Sequence, residues 1–107
     1  MSHITTHVLD TALGRPAAGI PVVLLDADGV ILDTASTDPD GRVGTLGADE
    51  VEPGVYRLVF DTAEYYELLG QTSFFPRVTI DFTIADSNHY HVPVLLSPFA
   101  YSTYRGS

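Results

Sequence analysis

Val78-Thr79-Ile80-Asp81-Phe82-Thr83-Ile84 alternates apolar and polar residues without a break. A strand sends successive side chains to opposite faces, so Val78, Ile80, Phe82 and Ile84 share one face and Thr79, Asp81 and Thr83 the other. This is the pattern of a half-buried strand in a layered β structure. Working back along the chain, Val55 to Phe60 repeats the period, with Tyr56, Leu58 and Phe60 on one side, after a Pro53-Gly54 pair of type II turn character. Asp40-Gly41 marks an earlier turn. Asp28-Gly29 stands between Val22–Leu25 and Val30–Leu32, which predicts a hairpin closed by a type I′ turn. Ile4–Leu9, Pro21–Asp26, His89–Leu96 and Phe99–Tyr104 are further runs of the same kind, for about eight strands in all.

One segment departs from this pattern. Asp61 can cap a helix, Glu64 stands in the capping-box position, and Gly70 is placed to stop it. The spacing predicts a helix of two turns with Tyr65, Leu68 and Leu69 turned inward. Short strands, one brief helix, and no linker, repeat or low-complexity tract predict an all-β fold. The expected architecture is a single domain over residues 1–107, a β sandwich of two sheets with one short α-helix.

The chain has 107 residues, 45% of them hydrophobic, which suits one core and not two. Acidic residues outnumber basic ones 14 to 5, for a net charge of −9, and all five basic residues are arginine. A phosphate-tracking nucleic-acid binder needs clustered positive charge, and an anionic membrane surface asks for the same, so neither is expected as a partner. The absence of lysine excludes Schiff-base chemistry. Without cysteine there are no thiolate nucleophiles, disulfides or thiolate zinc sites. Residues 1–10 lack the apolar stretch of a signal peptide, and no run approaches a membrane-spanning length, so a cytoplasmic location is expected.

Four histidines are the first chemical signal: His3, His7, His89 and His91. Residues two and four apart on a strand share a face, so His3 and His7 are expected to point one way, and His89 and His91 to pair likewise. Three uses are open to them on these grounds. They can be surface or hydrogen-bonded side chains, ligands of a metal through the His-X-His pair, or acid–base groups working near neutral pH. The second signal is the ending Tyr101-Ser102-Thr103-Tyr104-Arg105-Gly106-Ser107, which carries two aromatics and an arginine directly after a strand. Such an ending reads either as an ordinary edge strand or as a terminus set in a site. Arg42, just past a turn, is the third candidate.

Several blocks together carry a family resemblance. They are His7-Val8-Leu9-Asp10, Gly14-Arg15-Pro16-Ala17, Thr37-Asp38-Pro39-Asp40-Gly41-Arg42, Pro53-Gly54-Val55-Tyr56-Arg57 and Ser73-Phe74-Phe75-Pro76. Most specific are His89-Tyr90-His91-Val92-Pro93 and the final Tyr104-Arg105-Gly106-Ser107. The chain resembles the 5-hydroxyisourate hydrolases, the transthyretin-related enzymes of purine catabolism, over nearly its whole length. Transthyretin itself, a hormone carrier, shares Val8-Leu9-Asp10 and Leu95-Leu96-Ser97-Pro98 but has lysine and threonine where this chain has His7 and His91.

The resemblance implies a transthyretin-like sandwich and a homotetramer with active sites at the dimer–dimer interface. It implies hydrolysis of 5-hydroxyisourate to 2-oxo-4-hydroxy-4-carboxy-5-ureidoimidazoline on the way from urate to allantoin, with no cofactor and no metal. His7, Arg42 and His91 are its implied catalytic residues, and Tyr104, Arg105, Gly106 and Ser107 its implied substrate-binding residues. One histidine would take a proton from water, Arg42 would hold the developing oxyanion, and the Ser107 carboxylate would pair with an arginine or fix a histidine tautomer. A transthyretin-like carrier of small ligands, without catalysis, is the alternative.

Overall fold

The computed structural model describes residues 3–107. Nine strands and one helix are found among them: β1 (Ile4–Asp10), β2 (Arg15–Pro16), β3 (Pro21–Asp26), β4 (Ile31–Ser36), β5 (Arg42–Leu46), β6 (Gly54–Phe60), α1 (Thr62–Leu69), β7 (Val78–Ile84), β8 (Tyr90–Ser97) and β9 (Ala100–Thr103). They form two sheets. One runs β4-β3-β6-β7, entirely antiparallel. In the other, β1 lies beside β8 and β8 beside β9, while β5 and the two-residue β2 pair with successive parts of the far edge of β1. The β1–β8 pairing is parallel, and sets Thr5 opposite His91 and His7 opposite Pro93.

The alternation in the sequence decides what faces inward. Ile4, Val8, Val94 and Leu96 from one sheet are buried against Val22, Leu24, Leu58, Phe60, Val78 and Ile84 from the other. Each such side chain contributes roughly 1.5–3 kcal/mol relative to exposure, which is what holds the sheets face to face. In β7, Val78, Ile80 and Ile84 are buried as the alternation predicts, and Phe82 is half-buried with its ring 6.4 Å from that of Tyr56.

Two local expectations are corrected. The β3–β4 hairpin is not closed by a type I′ turn, because Asp28 keeps a negative φ and only Gly29 is left-handed, at φ +81°. Asp26 governs the turn instead. Its Oδ1 accepts from the N–H groups of Asp28 and Val30 at 2.9 and 3.0 Å, and its carbonyl accepts from Gly29 at 3.1 Å. A side-chain oxygen that mimics a backbone acceptor favours this Asx turn, with a left-handed glycine to follow.

The helix is capped as predicted: Asp61 Oδ1 accepts from Glu64 N at 3.2 Å, and Gly70 ends it at φ 65°. Its buried stripe, however, is Thr62, Tyr65 and Tyr66, while Leu68 is 81% exposed. Thr62, Tyr65 and Tyr66 have the i, i+3, i+4 spacing of one helix face, and Leu68 lies well round from it. The Tyr65 hydroxyl donates to Oδ2 of buried Asp10 at 2.7 Å, and Asp10 Oδ1 accepts from Leu13 N at 2.9 Å. A carboxylate otherwise stranded in the core is thereby partnered on both oxygens.

Candidate active site

Even-numbered residues of β1 face the core, so Thr5 and His7 fall on the opposite face of the sheet. His7 pairs in register with Arg42 on β5. What brings Arg42 there is the Asp38–Arg42 turn. Asp38 Oδ1 accepts from the N–H groups of Asp40 and Arg42, both at 2.9 Å, and Gly41 N donates to the Asp38 carbonyl at 2.8 Å. Gly41 has φ +76°, and a side chain there would run into the Val8 carbonyl, so only glycine suits the position. The same turn aims the Asp40 carbonyl at His7, whose Nε2 lies 2.9 Å away. A carbonyl only accepts, so Nε2 of His7 carries the hydrogen, and neutral His7 keeps its lone pair on Nδ1.

His91 stands directly across from Thr5 on β8, and its Nδ1 is 2.7 Å from Thr5 Oγ1. Its carbonyl accepts from Gly106 N at 2.9 Å, the bridge that turns the C-terminal segment back over β8. Thr5, Arg42, Gly44, His89, His91 and Ser107 border an open pocket of ≈ 270 Å³. Residues far apart in sequence thus meet on one surface: the first strand supplies Thr5 and His7, the β5 turn Arg42, β8 His91 and the last residue Ser107.

Electrostatics single out His91. Its pKa is lowered, first by burial and then by His89, Arg42 and His7, which all disfavour a second positive charge. His91 therefore stays neutral into mildly acidic solution, the state a general base requires.

Not every expected residue joins this pocket within one chain: of the expected set Arg42, His91 and Ser107 line it, whereas His7, Tyr104, Arg105 and Gly106 do not. Tyr104 is 58% exposed, and the Arg105 guanidinium lies 4.2 Å from the centroid of the Tyr90 ring. Both border a neighbouring hollow of ≈ 280 Å³ between β7 and the C-terminal segment. The expectation that His3 points with His7 is overturned. His3 precedes β1, is buried, and has its ring 5.6 Å from Tyr90. Val51 N donates to its Nδ1 at 3.1 Å and its Nε2 donates to the Asp86 carbonyl at 3.0 Å, so both nitrogens serve the structure. Among the described residues no three His, Asp or Glu side chains group as a metal site. Thr5 was not singled out by sequence reasoning, although its place two residues before His7 on one strand was the available signal.

Fold and site together define a transthyretin-like β sandwich in which imidazole and guanidinium groups border one pocket. The chain belongs to the HIUase/Transthyretin family, whose model matches residues 4–106. It is 46% identical to the 5-hydroxyisourate hydrolase of Mus musculus, over 99% of this chain and 96% of that protein. The structure of Klebsiella pneumoniae 5-hydroxyisourate hydrolase superposes with a TM-score of 0.92 at 39% identity, covering 100% of this chain and 94% of that one. Transthyretin from Sparus aurata has a TM-score of 0.90 at 29% identity, covering 99% and 97%.

Proposed function

We propose that this chain hydrolyses 5-hydroxyisourate in the degradation of urate, at the pocket bordered by Arg42, His91 and Ser107, with His7 paired to Arg42 beside it. The observation that carries the reading is that these side chains, expected from the sequence to act together, border or adjoin one pocket. Relatives named as 5-hydroxyisourate hydrolases, 46% and 44% identical over nearly the whole chain, support it. A carrier of apolar ligands would have little use for two histidines and an arginine at this place.

In the proposed reaction His91 Nε2 accepts a proton from water as the water oxygen bonds to the ring amide carbon. The carbonyl electron pair moves onto oxygen, where the Arg42 guanidinium offers donors in a fixed plane. Such a contact is worth roughly 3–4 kcal/mol when it forms mainly in the transition state. The C–N bond then breaks, and the departing nitrogen takes up the proton held by His91. His7, with Nε2–H committed to the Asp40 carbonyl, offers Nδ1 to substrate or water. Ser107 forms one wall, Gly106 ties the C-terminal segment to the His91 carbonyl, and Tyr104 and Arg105 orient the flat ring once subunits meet.

We further propose a homotetramer with each site completed at a dimer–dimer interface. Two features favour association. Among the described residues β7 and β9 end their sheets without an outer neighbour, and Phe74 and Phe99 are 70% and 63% exposed. No helix of the described residues is long and apolar enough to cross a membrane. The proposal places the reaction in the cytoplasm, with a small purine-derived substrate as partner and no cofactor, nucleic acid or membrane.

The test is the decay of freshly generated 5-hydroxyisourate, with the enzyme-free rate subtracted, alongside light scattering for the assembly. Saturable acceleration is expected. A decay rate unchanged by the protein would refute the function, and a monomer with full activity would refute the interface.

A further inference from the structure

Thr5 is buried, yet its one hydroxyl lies between two imidazoles: 2.7 Å from His91 Nδ1 and 2.8 Å from His89 Nε2. A hydroxyl carries one hydrogen, so it donates to one of these nitrogens and accepts from the other. Two arrangements are possible. If Thr5 donates to His91 Nδ1, then neutral His91 carries its hydrogen on Nε2. If Thr5 donates to His89 Nε2, it accepts from Nδ1–H of His91, and His91 Nε2 is bare.

One observation favours the second arrangement, and two others are compatible with it. Arg42 borders the same pocket as His91 and its charge reaches that imidazole, and a bare nitrogen turned to a guanidinium is attracted where an N–H dipole would be repelled. His89 is exposed, so water can satisfy its Nδ1 in the Nδ1–H form that this state requires. Ring rotation is opposed in either arrangement, because His91 Cδ2 is packed close to Gly106: a Cβ there would lie 2.6 Å away. A flipped ring would also lose the bond from Nδ1 to Thr5.

We infer that Thr5 is a positioning residue that holds His91 in its Nδ1–H tautomer, handing its own hydrogen to His89, so that a bare Nε2 faces the pocket. The inference rests on the reading of His91 as the base only for its effect on rate; the tautomer itself is a property of the resting protein. Free histidine prefers the Nε2–H tautomer, so the threonine reverses an intrinsic preference. It does so from the strand position directly opposite His91.

The experiment is a two-bond ¹H–¹⁵N correlation on histidine-labelled protein, about two units above the ordinary histidine pKa of ~6.5 so that the rings are neutral. His91 is assigned by its absence in His91→Asn. The wild type should show Nδ1 as the protonated nitrogen of His91. Thr5→Val, nearly isosteric, should shift it to Nε2–H and lower kcat about tenfold or more with little change in KM. Thr5→Ser should restore both tautomer and rate. His89→Phe, at an exposed position, should weaken the preference without touching the fold. A wild-type His91 protonated on Nε2 overturns the inference, as does a Thr5→Val protein that keeps both tautomer and kcat. Loss of the hydrolase reading would show separately, as wild-type protein without turnover.

Discussion

Gly106 and His91 touch through both backbone and ring. The Gly106 N–H donates to the His91 carbonyl at 2.9 Å, and any Cβ on Gly106 would stand 2.6 Å from Cδ2 of the imidazole and 3.1 Å from Cγ of Pro93. Glycine is needed here for close approach, since its backbone has no left-handed φ to explain it. Gly106→Ala should fold with an unchanged circular dichroism spectrum, yet lose about 10²-fold in kcat as the ring of His91 is displaced. Wild-type turnover in that variant would show that the ring has room to move.

Ser107 borders the pocket, so residues appended after it must leave across the opening. A short C-terminal extension should abolish hydroxyisourate turnover, while the same extension at the N-terminus should leave it intact. The two fusions assayed side by side decide the matter, and equal rates would remove Ser107 from the site.

The pH dependence follows from His91. Its folded-state pKa is lowered by burial and by His89, Arg42 and His7, so the basic form persists below the ordinary histidine value of about 6.5. The acid limb of kcat/KM should therefore fall below that value, with activity lost as pH drops through the lowered pKa. Arg42→Gln removes a positive neighbour and should move the His91 titration, followed by NMR, back upward. It should also cost about 10²–10³ in kcat as the oxyanion loses its donor. His91→Asn should remain folded and lose about 10²–10⁴ in kcat, and no acid limb from His91 should remain in what is left.

Two adjacent tyrosines should respond in opposite ways. Tyr65 donates to the buried Asp10 carboxylate, and Tyr65→Phe should cost about 1–3 kcal/mol in denaturant unfolding because a buried acceptor is left short. Among the described residues the buried Tyr66 hydroxyl has no hydrogen-bond partner, and burial pushes its pKa up to about 12. Tyr66→Phe should be neutral or stabilising. Equal losses for the pair would contradict this assignment of partners.

The strands were legible because alternation is a local property: Val78 to Ile84 sends out the same signal in any context. Turn chemistry was half legible. Asp28-Gly29 marked the right place, but the acceptor that shapes the turn is Asp26, two residues upstream. Leu68 misled because hydrophobicity says nothing about azimuth, and on a short helix two tyrosines suffice to cover the core. For the site, residue types were readable but meetings were not. Thr5 and His91 are 86 positions apart, and only the parallel register of β1 on β8 makes them neighbours. His3 shows the converse, since a histidine in the expected period is used up by the Val51 and Asp86 backbone.

That parallel register also sets a schedule. The β4-β3-β6-β7 sheet draws only on residues 21–84, and its pairings can close as the chain grows. β1 cannot meet β8 until Tyr90–Ser97 is made. At about 5–20 residues per second, the 86 positions separating Thr5 from His91 leave the first strand waiting about 4–17 s during synthesis. Such long-range pairing is slow to find in refolding as well. The two halves of the sandwich therefore mature at different times, and the surface that Thr5 shares with His91 belongs to the later one.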